Sequence, residues 1–114
     1  MSLTVYGIPN CDTVKKARVW LADKSQDFTF HDFRKNGLQE DMVRRWLQAQ
    51  PMDKLLNKRG TSWRNLSDAD KANEAEAHLV ALMVENPTLI KRPVIEAGDK
   101  VTVGFTDDVK AVWA

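Results

Sequence analysis

The sequence lacks most features of a secreted, metal-bound or membrane-borne protein. One cysteine in 114 residues cannot close a disulfide within the chain, which fits a reducing compartment. The two histidines, His31 and His78, have no cysteine or second histidine at ligand spacing; both are read as structural, and no metal site is expected. No apolar run could span a bilayer, and the first residues lack the basic start and apolar stretch of a secretory signal, so the location is read as cytoplasmic. An excess of one charge is missing too. Seventeen basic residues against sixteen acidic ones leave +1, which gives no general attraction to nucleic acid or anionic membrane. Repeats, low-complexity tracts and flexible linkers are also absent. With 43% hydrophobic and 29% charged residues, the chain has ordinary globular composition and is long enough for one core without metal or disulfide support. That core accounts for the apolar residues, so a monomer is expected.

The lone cysteine sits at a structural boundary. Leu3-Thr4-Val5-Tyr6 reads as a short strand, and Gly7 and Pro9 break it. Beyond Cys11, the apolar residues Val14, Ala17 and Leu21 recur at helical spacing, so Cys11 falls at the first turn of a helix expected over about Asp12 to Lys24. Free amide N–H groups and the positive dipole end favour a thiolate there, and the thiolate is the nucleophile. Lys15, one turn up the same face, adds to this, while Asp12 opposes it. The competing reading is a small buried hydrophobe, the usual fate of a free cysteine. The polar neighbours Asn10 and Asp12 favour the reactive one.

Phe28 to Phe33 reads as a second strand, parallel to the first, and Arg34-Lys35-Asn36-Gly37 as a turn. Gln39 to Gln50 is an amphipathic helix with Met42, Val43, Trp46 and Leu47 on one face, ended by Pro51. Asp53 to Arg64 is the most basic part of the chain. Its plain reading is a solvated loop anchored by Leu55, Leu56 and Trp63; the functional one has Arg59 binding an anion. Ser67-Asp68-Ala69-Asp70 has capping-box spacing and should start a short helix. Ala77, Val80, Ala81 and Val84 mark the face of another, ended by Asn86-Pro87. A strand from Leu89 to Glu96 then turns at Gly98-Asp99 into a second from Val101 to Phe105, so this pair should be antiparallel. Thr106 starts a closing helix with Val109, Val112 and Trp113 inward. Pro93 at the head of a central strand has a reason if the Arg92–Pro93 bond is cis. The expected fold is α/β, one domain over 1–114: β-α-β, a helical subdomain over about 38–87, then β-β-α, with a mixed four-stranded sheet of thioredoxin-like arrangement.

The stretches Val5 to Arg18, Asp32-Phe33-Arg34, Lys58-Arg59-Gly60-Thr61, Ile90 to Ile95 and Val103-Gly104-Phe105 resemble, in order, the ArsC/Spx/YffB family of thioredoxin-like proteins, and its YffB branch in particular. The resemblance implies Cys11 as nucleophile, Arg92 as the arginine holding an anionic substrate beside it, Arg59 as a second arginine of that site, and Pro93 as the family's cis-proline. Asn10, Thr13 and Lys15 complete the expected binding residues. The implied activity is a glutathione-dependent thiol reductase with no bound cofactor. Glutathione is its co-substrate and glutaredoxin a second candidate partner, because one cysteine cannot resolve its own mixed disulfide. Arsenate reductases of the family carry His at the position of Gly7 and Arg near Gly104, and Spx regulators carry a second cysteine at the position of Val14. These departures weigh against the two alternatives, a glutaredoxin-coupled arsenate reductase and an Spx-like, non-catalytic regulator that binds RNA polymerase.

Overall fold

The computed structural model describes residues 3–114. They form β1 (Thr4–Gly7), α1 (Asp12–Asp23), β2 (Thr29–Asp32), α2 (Phe33–Asn36), α3 (Glu40–Ala49), α4 (Met52–Leu55), α5 (Thr61–Arg64), α6 (Asp68–Ala72), α7 (Glu76–Glu85), a 3-10 turn (Pro87–Leu89), β3 (Val94–Ala97), β4 (Lys100–Val103) and α8 (Asp107–Trp113). The chain divides into two compact units, one running up to Gly37 and again from Arg92 onward, the other covering Leu38–Lys91. Among the described residues no helix is long and apolar enough to cross a membrane.

The first unit is built on one mixed sheet in the order β2-β1-β3-β4. β1 pairs β2 in parallel and β3 antiparallel, and β3 pairs β4 antiparallel. Strand side chains alternate between faces. On one face Val5, Ile95 and Ala97 join Leu3, Leu21 of α1, and Val109 and Trp113 of α8 in a buried cluster. The Trp113 indole N–H donates to Thr102 Oγ1 at 2.8 Å, which satisfies the one polar atom this large side chain brings inside. On the other face the Tyr6 hydroxyl donates to Glu96 Oε1 at 2.8 Å, and both residues are buried. The hairpin turns at Gly98-Asp99 with Gly98 at φ +60°, the conformation a II′ turn needs at its first central residue.

The helical unit is held by α3 and α7, which pack on each other. Val43 and Trp46 of α3 are buried, as are Leu79, Val80, Leu82 and Met83 of α7. An antiparallel bridge joins Leu56 to Ile90, flanked by hydrogen bonds from Asn57 N–H to Leu89 O (2.7 Å) and from Lys91 N–H to Leu55 O (2.8 Å).

Several elements differ from the sequence expectation. Arg34 to Asn36 belong to the one-turn helix α2, whose second amide is held by the capping Asp32 carboxylate (Arg34 N–H to Oδ1, 2.9 Å), where a turn was expected. The basic stretch is not a plain loop but contains α4 and α5. Leu89 and Ile90 lie outside β3, in the 3-10 turn and the bridge to Leu56. On α7 the expected face holds at Val80, which is fully buried, and fails at its other positions. Ala77 is exposed and Ala81 and Val84 only half-buried, because the larger Leu79, Leu82 and Met83 take the interior. Val112, expected inward, is 40% exposed.

Candidate functional site

Sheet register assembles one end of the first unit. Tyr6 pairs with Val94 across antiparallel strands, so the chain leaving β1 and the chain entering β3 meet at the same edge. Val94 also pairs with Val103, which puts Gly104 at that end, and the Gly104 N–H donates to Pro93 O at 2.9 Å. Gly7 pairs with Asp32 of β2. The residues from Gly7 to Cys11, from Arg92 to Pro93, and around Gly104 therefore share one end of the sheet.

Cys11 is the N-cap of α1. It has extended backbone (φ −90°, ψ 124°), its carbonyl accepts from Lys15 N–H at 3.0 Å, and its own N–H donates to Ile8 O at 3.3 Å. Its side chain makes no capping hydrogen bond and is partly exposed. The first-turn amides of α1 are therefore open to an anion at this position. Val14, Ala17 and Leu21 are fully buried and hold the helix to the sheet. Thr13 and Lys15, in the first turn of α1, and Asn10, just before the cap, are exposed.

Arg92 precedes a cis peptide bond to Pro93. Its Nη1 is buried and has no hydrogen-bond partner among the described residues. A buried guanidinium nitrogen without a partner is costly, and an anion is one acceptor that satisfies it strongly. Arg59 belongs to the helical unit, where it is exposed, its N–H donates to Asn57 Oδ1 at 3.0 Å, and it lines a hollow of about 400 Å³ with Lys58, Lys91 and Asp53. The sheet unit thus brings Cys11, Asn10, Thr13, Lys15, Arg92 and Pro93 to one end, while Arg59 lies in the other unit.

Two features of this end escaped sequence reasoning. A Cβ built on Gly7 would stand 2.7 Å from Val14 Cγ2, so the bare backbone of β1 and the first turn of α1 fit together only with glycine there. The Tyr6–Glu96 pair, with the His31 ring centroid 5.0 Å from that of Tyr6, places a polar group in the sheet interior. The sequence signal for the second was a glutamate inside the otherwise apolar Val94-Ile95-Glu96-Ala97. His31 Nε2 lies 2.7 Å from Gly37 O, and His78 Nε2 lies 3.2 Å from Asp70 Oδ1. Among the described residues no group of three or more His, Cys, Asp or Glu could hold a metal ion.

Known proteins show similarity over nearly the whole chain. The chain is 41% identical to a solved YffB protein that superposes with a TM-score of 0.91, with 96% of each chain covered. It is 44% identical over 105 residues to an uncharacterized protein of Haemophilus influenzae, covering 92% of both. It is also 27% identical to the global transcriptional regulator Spx of Streptococcus pyogenes, covering 93% of this chain and 80% of that one. The profile described as ArsC family matches residues 6–111, and the chain belongs to the ArsC family.

Proposed function

We propose that the protein is a thiol–disulfide oxidoreductase in which Cys11 is the nucleophile and glutathione the co-substrate. One observation carries the reading: a partly exposed lone cysteine caps α1 at the sheet end that also holds Arg92, whose buried Nη1 has no partner among the described residues. The Cys11 thiolate attacks a sulfur of a substrate disulfide, the other sulfur leaves as a thiolate, and Cys11 is held in a mixed disulfide. With no second cysteine in the chain, an external thiol must release it. Glutathione fits because its carboxylates suit the paired N–H groups of an arginine, and Arg92 is the residue assigned to bind one. Asn10, Thr13 and Lys15 are exposed at this end of α1 and are assigned to the same ligand, with Pro93 as backbone support. The role given to Arg59 rests on the family resemblance alone.

The test is a glutathione-coupled assay on a small disulfide, with mass spectrometry of the trapped Cys11–glutathione adduct. Cys11→Ser should remove turnover and adduct together. Arg92→Gln should raise KM for glutathione about tenfold while leaving the fold intact, since a charged hydrogen bond contributes roughly 1.5–3 kcal/mol. Turnover that survives Cys11→Ser ends the proposal. The same assay with arsenate replacing the disulfide tests the arsenate-reductase alternative, because an oxyanion also suits Arg92 and the open amides of α1. A pull-down against RNA polymerase subunits, with Cys11 intact and replaced, tests the regulator alternative.

A further inference from the structure

The outward face of α1 carries an apolar side chain that the fold does not use. Val19 is 60% exposed, against 40% for Val112, the other large exposed hydrophobic among the described residues. Nothing local asks for valine here. A β-branched residue on the exposed side of a helix is a poorer helix former than the Lys, Glu or Gln that would also keep the surface polar. Val19 separates two shallow hollows of about 380 and about 440 Å³, one reaching Lys16 and Trp20, the other Arg18 and Phe28. Three cations, Lys15, Lys16 and Arg18 (the last over the Phe30 ring), border the hollows against the carboxylate of Asp23, and exposed Asp12 stands on the same side of the helix toward Cys11. The surface that complements this face is apolar at its centre and acidic around it.

The face also lies on the helix that Cys11 caps, roughly two turns up and about 80° round the axis from it at 3.6 residues per turn. Val19 follows Cys11 by eight residues on one helix, about 12 Å along the axis at 1.5 Å per residue. An extended chain covers that distance in about four residues at roughly 3.3 Å each. We propose that this face docks the protein substrate of Cys11. The occupant is an extended segment with its disulfide at Cys11 and, about four residues away, an apolar side chain on Val19 flanked by carboxylates. The inference rests on the thiol-reductase reading and narrows its substrate class from any disulfide to acidic protein segments. For a segment disulfide-bonded to glutathione, the Cys11 thiolate attacks the glutathione sulfur, and the segment's thiolate leaves and takes up a proton. A second glutathione thiolate then attacks the Cys11–glutathione disulfide, regenerating the Cys11 thiolate and leaving as glutathione disulfide.

Two synthetic peptides test this. Each carries a cysteine–glutathione disulfide and a leucine four residues from it, flanked by glutamates in one peptide and by lysines in the other. The wild-type protein should release thiol from the acidic peptide with kcat/KM about tenfold above the basic one, since the shared leucine cancels and the flanking charges change from attracted to repelled by the cations of this face. Val19→Ser with Lys16→Gln should erase that preference and leave turnover of a small glutathione disulfide unchanged. Both positions are exposed, so the fold should survive, with circular dichroism as the check. Equal kcat/KM for the two peptides, or a preference that survives both substitutions, overturns the proposal. So does sedimentation showing a wild-type dimer that Val19→Ser breaks, since a second copy would then cover this face. Failure of the reductase reading looks different. No disulfide would be turned over, yet a dye-labelled acidic peptide with serine in place of cysteine would still bind wild type, and not the double variant, by fluorescence anisotropy.

Discussion

The two units fix their candidate functional residues by different means. In the sheet unit, strand pairing sets positions: Tyr6 opposite Val94 and Val94 opposite Val103 bring the loops bearing Cys11 and Arg92 to one end, and a buried cluster with α1 and α8 holds the sheet beneath them. In the helical unit, one bridge and the packing of α3 on α7 order a run of short helices, and Arg59 lies exposed between α4 and α5. Backbone pairing over several residues fixes a position against side-chain substitution. Packing fixes it only as well as the side chains fill space. Substitutions should therefore spread through the helical unit and stay local in the sheet unit.

The largest expected effect is that of Trp46→Ala. Trp46 is the largest fully buried side chain, and truncating a buried aromatic to alanine costs about 3–5 kcal/mol. Hydrogen exchange should show α3 and α7 losing protection while β1 and β3 keep theirs. Loss of protection in both sets together would show that the two units open as one and would end the contrast.

Next comes Gly7→Ala, a test of the sheet unit at its tightest point. The added Cβ meets Val14 Cγ2 at 2.7 Å, and Val14 is fully buried, so it cannot move into solvent. Overpacking of this kind costs about 1–3 kcal/mol. Gly7→Ala with Val14→Ala should be more stable than the sum of the two single losses allows, and a double-mutant cycle in urea measures that coupling. Additive effects would mean that the strand and helix shift apart at no cost. The contact also ties two family departures together. Any side chain at position 7 carries this cost while valine holds position 14.

The sequence made the sheet unit more legible than the helical one, and the reason is period. Alternation and a Gly-Asp turn suffice to read β3 and β4 as a hairpin, and a strand, a Gly-Pro break and helical spacing suffice to put Cys11 at the start of α1. A one-turn helix has no period to detect, so α2, α4 and α5 were invisible. On α7 apolar residues lie nearly all round, so small Ala77 and Ala81 looked like a face while the bulky Leu79, Leu82 and Met83 took the interior. At the site, the residue types were readable, but the partnerless Nη1 of Arg92 and the Gly7–Val14 contact depend on strand register, which no single stretch of sequence contains.

The smallest expected effects separate bond length from burial. Ser67 accepts from Asp70 N–H at 3.1 Å in the helical unit, and Thr106 accepts from Val109 N–H at 3.4 Å in the sheet unit. By hydrogen-bond length alone, Ser67→Ala should be the costlier loss. The helices they cap argue the reverse. α6 buries no residue, so it can fray without disturbing a core, whereas α8 buries Val109 and Trp113 in the cluster beneath the sheet. A lost cap reaches global stability only as far as its helix is coupled to a core. Thr106→Ala should therefore lower the unfolding free energy by about 1 kcal/mol, the usual worth of a cap. Ser67→Ala should leave it nearly unchanged and speed amide exchange within α6 only. If instead the two single variants lose equal stability in urea, α6 is coupled to the packing of α3 and α7 as firmly as α8 is to the sheet. The helical unit would then be as tightly held as the sheet unit, despite having a single bridge in place of a sheet.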